Sequence, residues 1–194
     1  MRLSKISLLL LVVIIFIGPD AFAWGLEIGY QRLMPKLGTK EQEYKAQTGA
    51  NQSFKPKVED TILGQSFTVG LKLAEYLIQY EMVDYSHSAT IPAAVLGTLL
   101  DTEVDSTIIE KRLGVSYHLE RELAGVFLGA GISAVEEKLV GSDNEWTFSG
   151  NTVFLKYGID LMLLDIFKVR AEQIHFTIGA HNALINSFGV VFFF

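Results

Sequence analysis

In the stretch AEQIHFTIGA, His175 stands two residues before Thr177. Within a β-strand that spacing puts both side chains on one face, the arrangement a hydroxyl nucleophile and its general base require. No Asp or Glu follows His175 to orient the imidazole. Glu172 is the nearest acid that could, and only from an unproven geometry, so a plain rim histidine is the competing reading. His87 and His118 are lone histidines without ligand-like company, and no spacing suggests a metal site or a cofactor. The remaining chemistry lies in ten charges set at alternate positions: Glu27, Glu81, Glu110, Asp160 and Glu172 against Lys72, Arg112, Lys156, Lys168 and Arg170.

The elements that carry these residues have period two. Trp24, Leu26, Ile28 and Tyr30 alternate with Gly25, Glu27 and Gly29, and the same rhythm recurs in seven further segments, ending on Phe188, Val190, Phe192 and Phe194. Short links (LAEYL, HLERE, LLDI) alternate with long polar ones, roughly 35–60, 86–105 and 135–151, and with a shorter one around 177–183. This rhythm predicts an all-β fold, an eight-stranded antiparallel up-and-down barrel, with short turns at one end and loops at the other.

Alternation does not by itself say which face is outside. The glycines share the polar face, where a narrow eight-stranded lumen has room only for small residues. The five acids and five bases on that face balance, as a closed interior requires because isolated buried ions are costly. Trp24, Tyr30, Tyr76, Tyr80, Tyr117 and Tyr157 lie on or beside the apolar face and suit interfacial girdles. The expectation is a transmembrane barrel with its apolar side facing lipid, filled by charges together with Phe127, Phe154 and Phe193, and so without an open pore. Lys111 is the exception, a cation on the apolar face that must sit near a rim.

The first link, GTKEQEYKAQTGANQS, reads as a mobile solvated loop. The second contains the apolar TIPAAVLGTLL, Thr90 to Leu100, which has two readings: an exposed adhesive tip, or a short helix folded over the barrel mouth against the first link.

A basic head (Arg2, Lys5), the apolar run Leu8 to Ile17, the break at Gly18-Pro19 and the small-x-small AFA form the three-part layout of a signal peptide. The apolar run is too short to span a bilayer as a helix, which needs about 20 residues. Residues 1–23 are therefore expected to be cleaved, leaving 24–194 as the barrel domain. The net charge of −6 argues against a nucleic-acid partner, and the absence of cysteine excludes both disulfides and a lipid-modified cysteine.

Ser187, Gly189, Phe192 and Phe194 match the polar, glycine and aromatic positions of the C-terminal signal read by the outer-membrane assembly machinery. With the signal peptide and strand layout, the chain resembles the small eight-stranded Gram-negative outer-membrane proteins of the OmpA transmembrane-domain and OmpX type. The resemblance implies residence in the outer membrane, contact with its lipid and lipopolysaccharide, delivery by the assembly machinery and a surface ligand held by loops. No enzyme activity or cofactor is implied. His175 and Thr177 are also similar to the His-x-Ser motif of the lipid A 3-O-deacylases, with threonine in place of serine, which implies a membrane esterase as the alternative. A narrow channel or hydrophobic-ligand conduit is the third.

Overall fold

The computed structural model describes residues 24–38, 41–58, 62–96, 99–142, 144–164, 166–179 and 182–194. The expected signal peptide lies outside them, as do the side chains of residues 37, 38, 177–179, 182 and 183. The elements are β1 (Trp24–Gly38), β2 (Gln42–Ala46), β3 (Asn51–Phe54), β4 (Lys57–Val58), β5 (Leu63–Leu73), β6 (Tyr76–Ile91), helix α1 (Ala93–Leu96), β7 (Thr102–Glu120), β8 (Ala124–Val140), β9 (Glu145–Leu164), β10 (Phe167–Gly179) and β11 (Asn182–Phe193).

Eight of the strands close into an antiparallel barrel in which each pairs with its sequence neighbour in the wall and β11 returns to β1. Following paired residues around the wall fixes its geometry. Trp24 leads through Leu73, Tyr76, Tyr117, Leu128, Tyr157, Gln173 and Asn186 back to Met34 on the starting strand. The register thus advances ten residues per circuit, from Trp24 to Met34. For eight strands this sets a tilt of roughly 40°, so the chain climbs about 2.5 Å along the axis per residue.

The barrel is inside out over its lower part. Leu26, Phe67, Ile78, Leu113, Leu128, Ile159 and Phe188 are exposed on the outer wall, while Glu27, Glu81, Arg112, Lys156, Asp160 and Arg170 are buried in the lumen. No water-soluble barrel places so much contiguous apolar surface outside and its ions within, so this belt belongs in a bilayer. Ring-sized gaps at glycine make the narrow interior possible. A Cβ on Gly131 would lie 2.5 Å from the Phe154 ring, and one on Gly158 would lie 2.6 Å from the Phe127 ring.

Above the belt the pattern inverts. Leu33, Val83, Tyr85, Ile108, Val135, Phe154, Ile174, Phe176 and Ile185 form an apolar cluster inside the barrel. Higher still, Ala89, Ile91, Val104, Leu139 and Trp146 form a second cluster with Tyr44 and Phe54. Outward residues at these levels are Asp84, Ser86, Glu103, Asp105, Glu136, Lys138, Thr147 and Ser149. The lumen expected from the sequence, charges together with Phe127, Phe154 and Phe193, describes only its lower part: the upper half is filled by apolar side chains, as in a soluble protein.

The long links are corrected accordingly. Half of 86–105 and most of 135–151 is ladder, with β6–β9 standing well above β10, β11, β1 and β5. The first link is no free loop. Its strands β2 and β3 pair, β2 adds to the exposed upper edge of β9 through Lys45↔Thr147 and Ala46↔Trp146, and β4 adds to β6. The two free edges of the β6–β9 wall are thus both covered by one segment, the usual remedy for unpaired strand edges. The second link forms α1, whose Val95 and Leu96 pack on the cluster that contains Tyr44 and Phe54, while Leu99 and Leu100 remain exposed. α1 is packed as the second reading expects, and the two leucines are exposed.

Candidate functional site

The groups with chemical potential fall into three places: the lower lumen, the module at the upper end and the outer wall near His175. In the lower lumen, strand alternation delivers residues from β1, β7, β9 and β10 to one level. Arg170 grips Asp160 with two hydrogen bonds of 2.8 Å and donates to Glu27 at 3.1 Å. Lys168 pairs with Glu27, with Glu120 at 3.2 Å and with Asp160 at 3.5 Å, and Lys72 pairs with Glu120. The Phe127 ring lies 4.9 Å from the Arg170 guanidinium and stacks on the His118 ring at 4.9 Å. Phe193 sits beside Lys72 and Lys168.

A second ionic layer lies above. Arg112 reaches Glu110 at 2.7 Å and Glu81 at 3.4 Å, Tyr85 donates to Glu110, and Lys156 donates to Gln79. Glu172 is buried, and neither of its carboxylate oxygens has a hydrogen-bond partner among the described residues.

These positions revise two expectations. His118 is not a lone histidine: its Nδ1 lies 3.6 Å from Asp160 and 3.8 Å from Glu120, and the three residues could offer atoms to a metal. Their carboxylates are already engaged by Arg170, Lys168 and Lys72, so the donors do not converge on a free position. Nor do the lumen charges balance five against five. Glu120 and Glu137 also line the interior, giving seven acids to five bases. Glu120 was hidden in a turn-like string, and Glu137 in a segment expected to be loop. His118 was legible on the polar face, but its acidic neighbours come from β9 and from the end of its own strand.

In the upper module Tyr44 donates to Glu137 at 2.8 Å and stacks on Phe54 with centroids 4.5 Å apart. Burial, with the Glu137 carboxylate beside it, pushes the Tyr44 phenol far above its ordinary range, so it remains a donor. Ser106 also donates to Glu137, at 3.2 Å, and Trp146 donates to Gln52 at 2.8 Å. At the rim, Lys57 and Asp101 pair at 2.8 Å, and the Ala93 amide donates to Asp101 at 3.0 Å. The lysine bond and that amide hold the exposed Asp101 carboxyl below its usual range.

His175 lies on the outer wall. Its ring stacks on Tyr157 with centroids 5.6 Å apart, and its Nε2 is 3.3 Å from the Tyr157 hydroxyl and 3.1 Å from Gln173 Oε1. Glu172, on the same strand, faces the lumen, so a barrel wall separates it from His175 and it cannot orient that imidazole. The β9–β10 register shifts between Phe176 and Ile178, which interrupts the period-two rule at Thr177, whose side chain lies outside the described residues.

Of the four C-terminal positions, Ser187 faces inward and donates to Gln31 at 2.7 Å, and Gly189 lets the β1 backbone approach. Phe192 and Phe194 are exposed on the belt, Phe192 with its ring 5.4 Å from Phe167.

The closed wall, the shear, the apolar belt and the ionic lumen define an eight-stranded outer-membrane-type β-barrel. Among solved structures, the chain is similar to the outer membrane protein OprG from Pseudomonas aeruginosa, at TM-score 0.59 and 13% identity over 88% of this chain and 96% of that one. It is also similar to Neisserial surface protein A, at TM-score 0.57 and 10% identity over 86% and 96%. A third similar structure is Ail, the attachment invasion locus protein of Yersinia pestis, at TM-score 0.54 and 11% identity over 88% and 97%. No protein-family model matches the chain, and no curated protein matches it.

Proposed function

We propose that the protein is a non-enzymatic, closed barrel of the Gram-negative outer membrane that displays a folded module on the cell surface. It is exported with a signal peptide cleaved after Ala23, and the assembly machinery reads Ser187, Gly189, Phe192 and Phe194. The observation that carries this reading is the stack inside the wall: two ionic layers below, two apolar clusters above, and the β2–β3 hairpin and α1 covering the top. A lumen filled in this way passes no solute, and the rigid upper sheet holds a surface for recognition. Membrane lipid and lipopolysaccharide surround the belt, and any surface ligand meets the polar outer face of the module. The esterase alternative loses its orienting acid, since Glu172 faces the lumen and the His175 Nε2 contacts Tyr157 and Gln173. Mass spectrometry of lipid A from cells with and without the protein tests the proposal. An unchanged acyl-chain pattern is expected, and loss of one ester-linked chain would overturn the non-enzymatic reading.

A further inference from the structure

Lys111 is unexplained by anything above. It points outward from β7 and is exposed, between Ile109 and Leu113 on its own strand and opposite Met82 and Ala134 on its neighbours. It forms no ion pair among the described residues. An ammonium in such company is costly in acyl chains unless an anion meets it.

Its level in the wall supplies that anion. Lys111 lies nine residues above Glu120 at the short-turn rim, hence about 23 Å higher at this tilt. The apolar band of such barrels is about 25 Å tall. The ammonium therefore stands where the headgroups of the outer leaflet begin.

A hollow of about 450 Å3 opens on the wall at this point, lined by Tyr80, Lys111, Leu113, Ile132, Ala134 and Val153. Ala134 is the small residue directly across the ladder from Lys111. Below the ammonium, Leu113, Ile132 and Val153 present an apolar slot. Above it, Asn151 lines the same hollow, and Thr107, Ser149, Lys138, Glu136 and Glu43 are among the residues that line the next one up the wall. Read from bottom to top, the wall offers an apolar slot and then a cation with an amide beside and just above it.

We propose that this hollow is a binding site for one phosphorylated, acylated glycolipid of the outer leaflet, lipid A by chemistry. Lys111 meets its phosphate, the slot below takes an acyl chain, and Asn151 meets the sugar. The site rests on the membrane placement of the belt and not on any role of the surface module. In lipid A the phosphate is borne directly on an acylated sugar, so Lys111 and Asn151 can meet phosphate and sugar side by side, whereas a glycerophospholipid joins its phosphate to the acyl chains through glycerol and carries no sugar ring at that level.

Native mass spectrometry of the detergent-solubilised protein, titrated with purified bisphosphorylated lipid A or with phosphatidylglycerol, tests the assignment. Lys111→Ala should weaken lipid A binding about tenfold or more, the value of one charge-assisted hydrogen bond. Ala134→Leu, which fills the slot while keeping the charge, should weaken it as well. Arg32→Glu, on the outer face of β1, should leave it unchanged. Both test residues face outward, and heat-modifiable gel mobility reports that each barrel is folded. Unchanged affinity in Lys111→Ala, or an equal loss in Arg32→Glu, overturns the site. Equal binding of phosphatidylglycerol by the wild type overturns the glycolipid assignment.

Discussion

Ala74 and Arg170 show how single residues stress or secure this barrel. Leu73 pairs with Tyr76, so only Ala74 and Glu75 turn the chain, and Ala74 sits at φ 54°. That left-handed conformation crowds a Cβ and costs a non-glycine residue about 1–2 kcal/mol. Ala74→Gly should therefore raise the urea midpoint of the folded barrel in detergent by about 1 kcal/mol of stability. A midpoint that falls would show that the turn is not strained. Arg170 is the opposite case. It is buried and holds both Asp160 oxygens and Glu27, so Arg170→Ala leaves two carboxylates without their main cation. Breaking a buried pair in this way costs about 3–5 kcal/mol, and the same unfolding assay should record a loss of that order.

At the scale of elements, the β2–β3 hairpin and α1 form a separable unit. Their apolar contacts go to the upper cluster around Trp146. Tyr44→Ala removes the ring stacked on Phe54 and the donor to Glu137. The expected outcome is protease cleavage within residues 42–54 with unchanged heat-modifiable mobility, because local opening need not spread to the barrel. Loss of the folded band would mean that the module and the barrel are one cooperative unit. Acid should act at the same rim. The folded-state pKa of Asp101 is depressed, so the contribution of its pairing with Lys57 is present above the ordinary aspartate value and fades as pH falls below about 4. The protection of the Ala93 amide against hydrogen exchange, taken relative to the intrinsic rate at each pH, should fall over that range.

These elements also mark what sequence could and could not convey. The wall strands were legible because lipid outside and charge inside impose strict alternation on Leu26 to Tyr30 or Phe67 to Leu73. The upper strand ends were not. There the same period-two rhythm continues with its sense reversed, as at Val104, Ser106 and Ile108 against Glu103, Asp105 and Thr107, and a search for apolar-outward segments reads such stretches as loop. The hairpin was hidden for another reason. QEYKA and NQSF carry one buried aromatic each, Tyr44 and Phe54, and the pairing of QEYKA with β9 depends on an edge left free about a hundred residues later. At the candidate site, His118 was visible but its company was not, since Asp160 arrives from a different strand.

For the molecule as a whole, the two kinds of filling are barriers in series, and that arrangement predicts how the lumen responds to damage. Ions crossing upward would first meet the layer of Glu27, Asp160, Lys168 and Arg170, then that of Glu110 and Arg112 with the Phe176 ring 5.3 Å from the guanidinium and Phe154 beside it, and then the rest of the apolar cluster with Ile108 and Val135. Salt bridges exchange partners and admit water, whereas a packed apolar layer does not hydrate. The wild-type protein in planar bilayers should therefore show no steady conductance. Replacing Asp160 and Arg170 together by alanine removes a buried pair without stranding the arginine, and it should still leave the lumen closed because the layers above are untouched. Steady conductance should emerge only when Phe154 and Phe176 are also reduced to alanine, which opens space at the level where their rings stand 6.2 Å apart. A steady current through the Asp160→Ala, Arg170→Ala protein would locate the seal in the ionic layers instead, and a steady current through the wild type would refute the closed lumen outright.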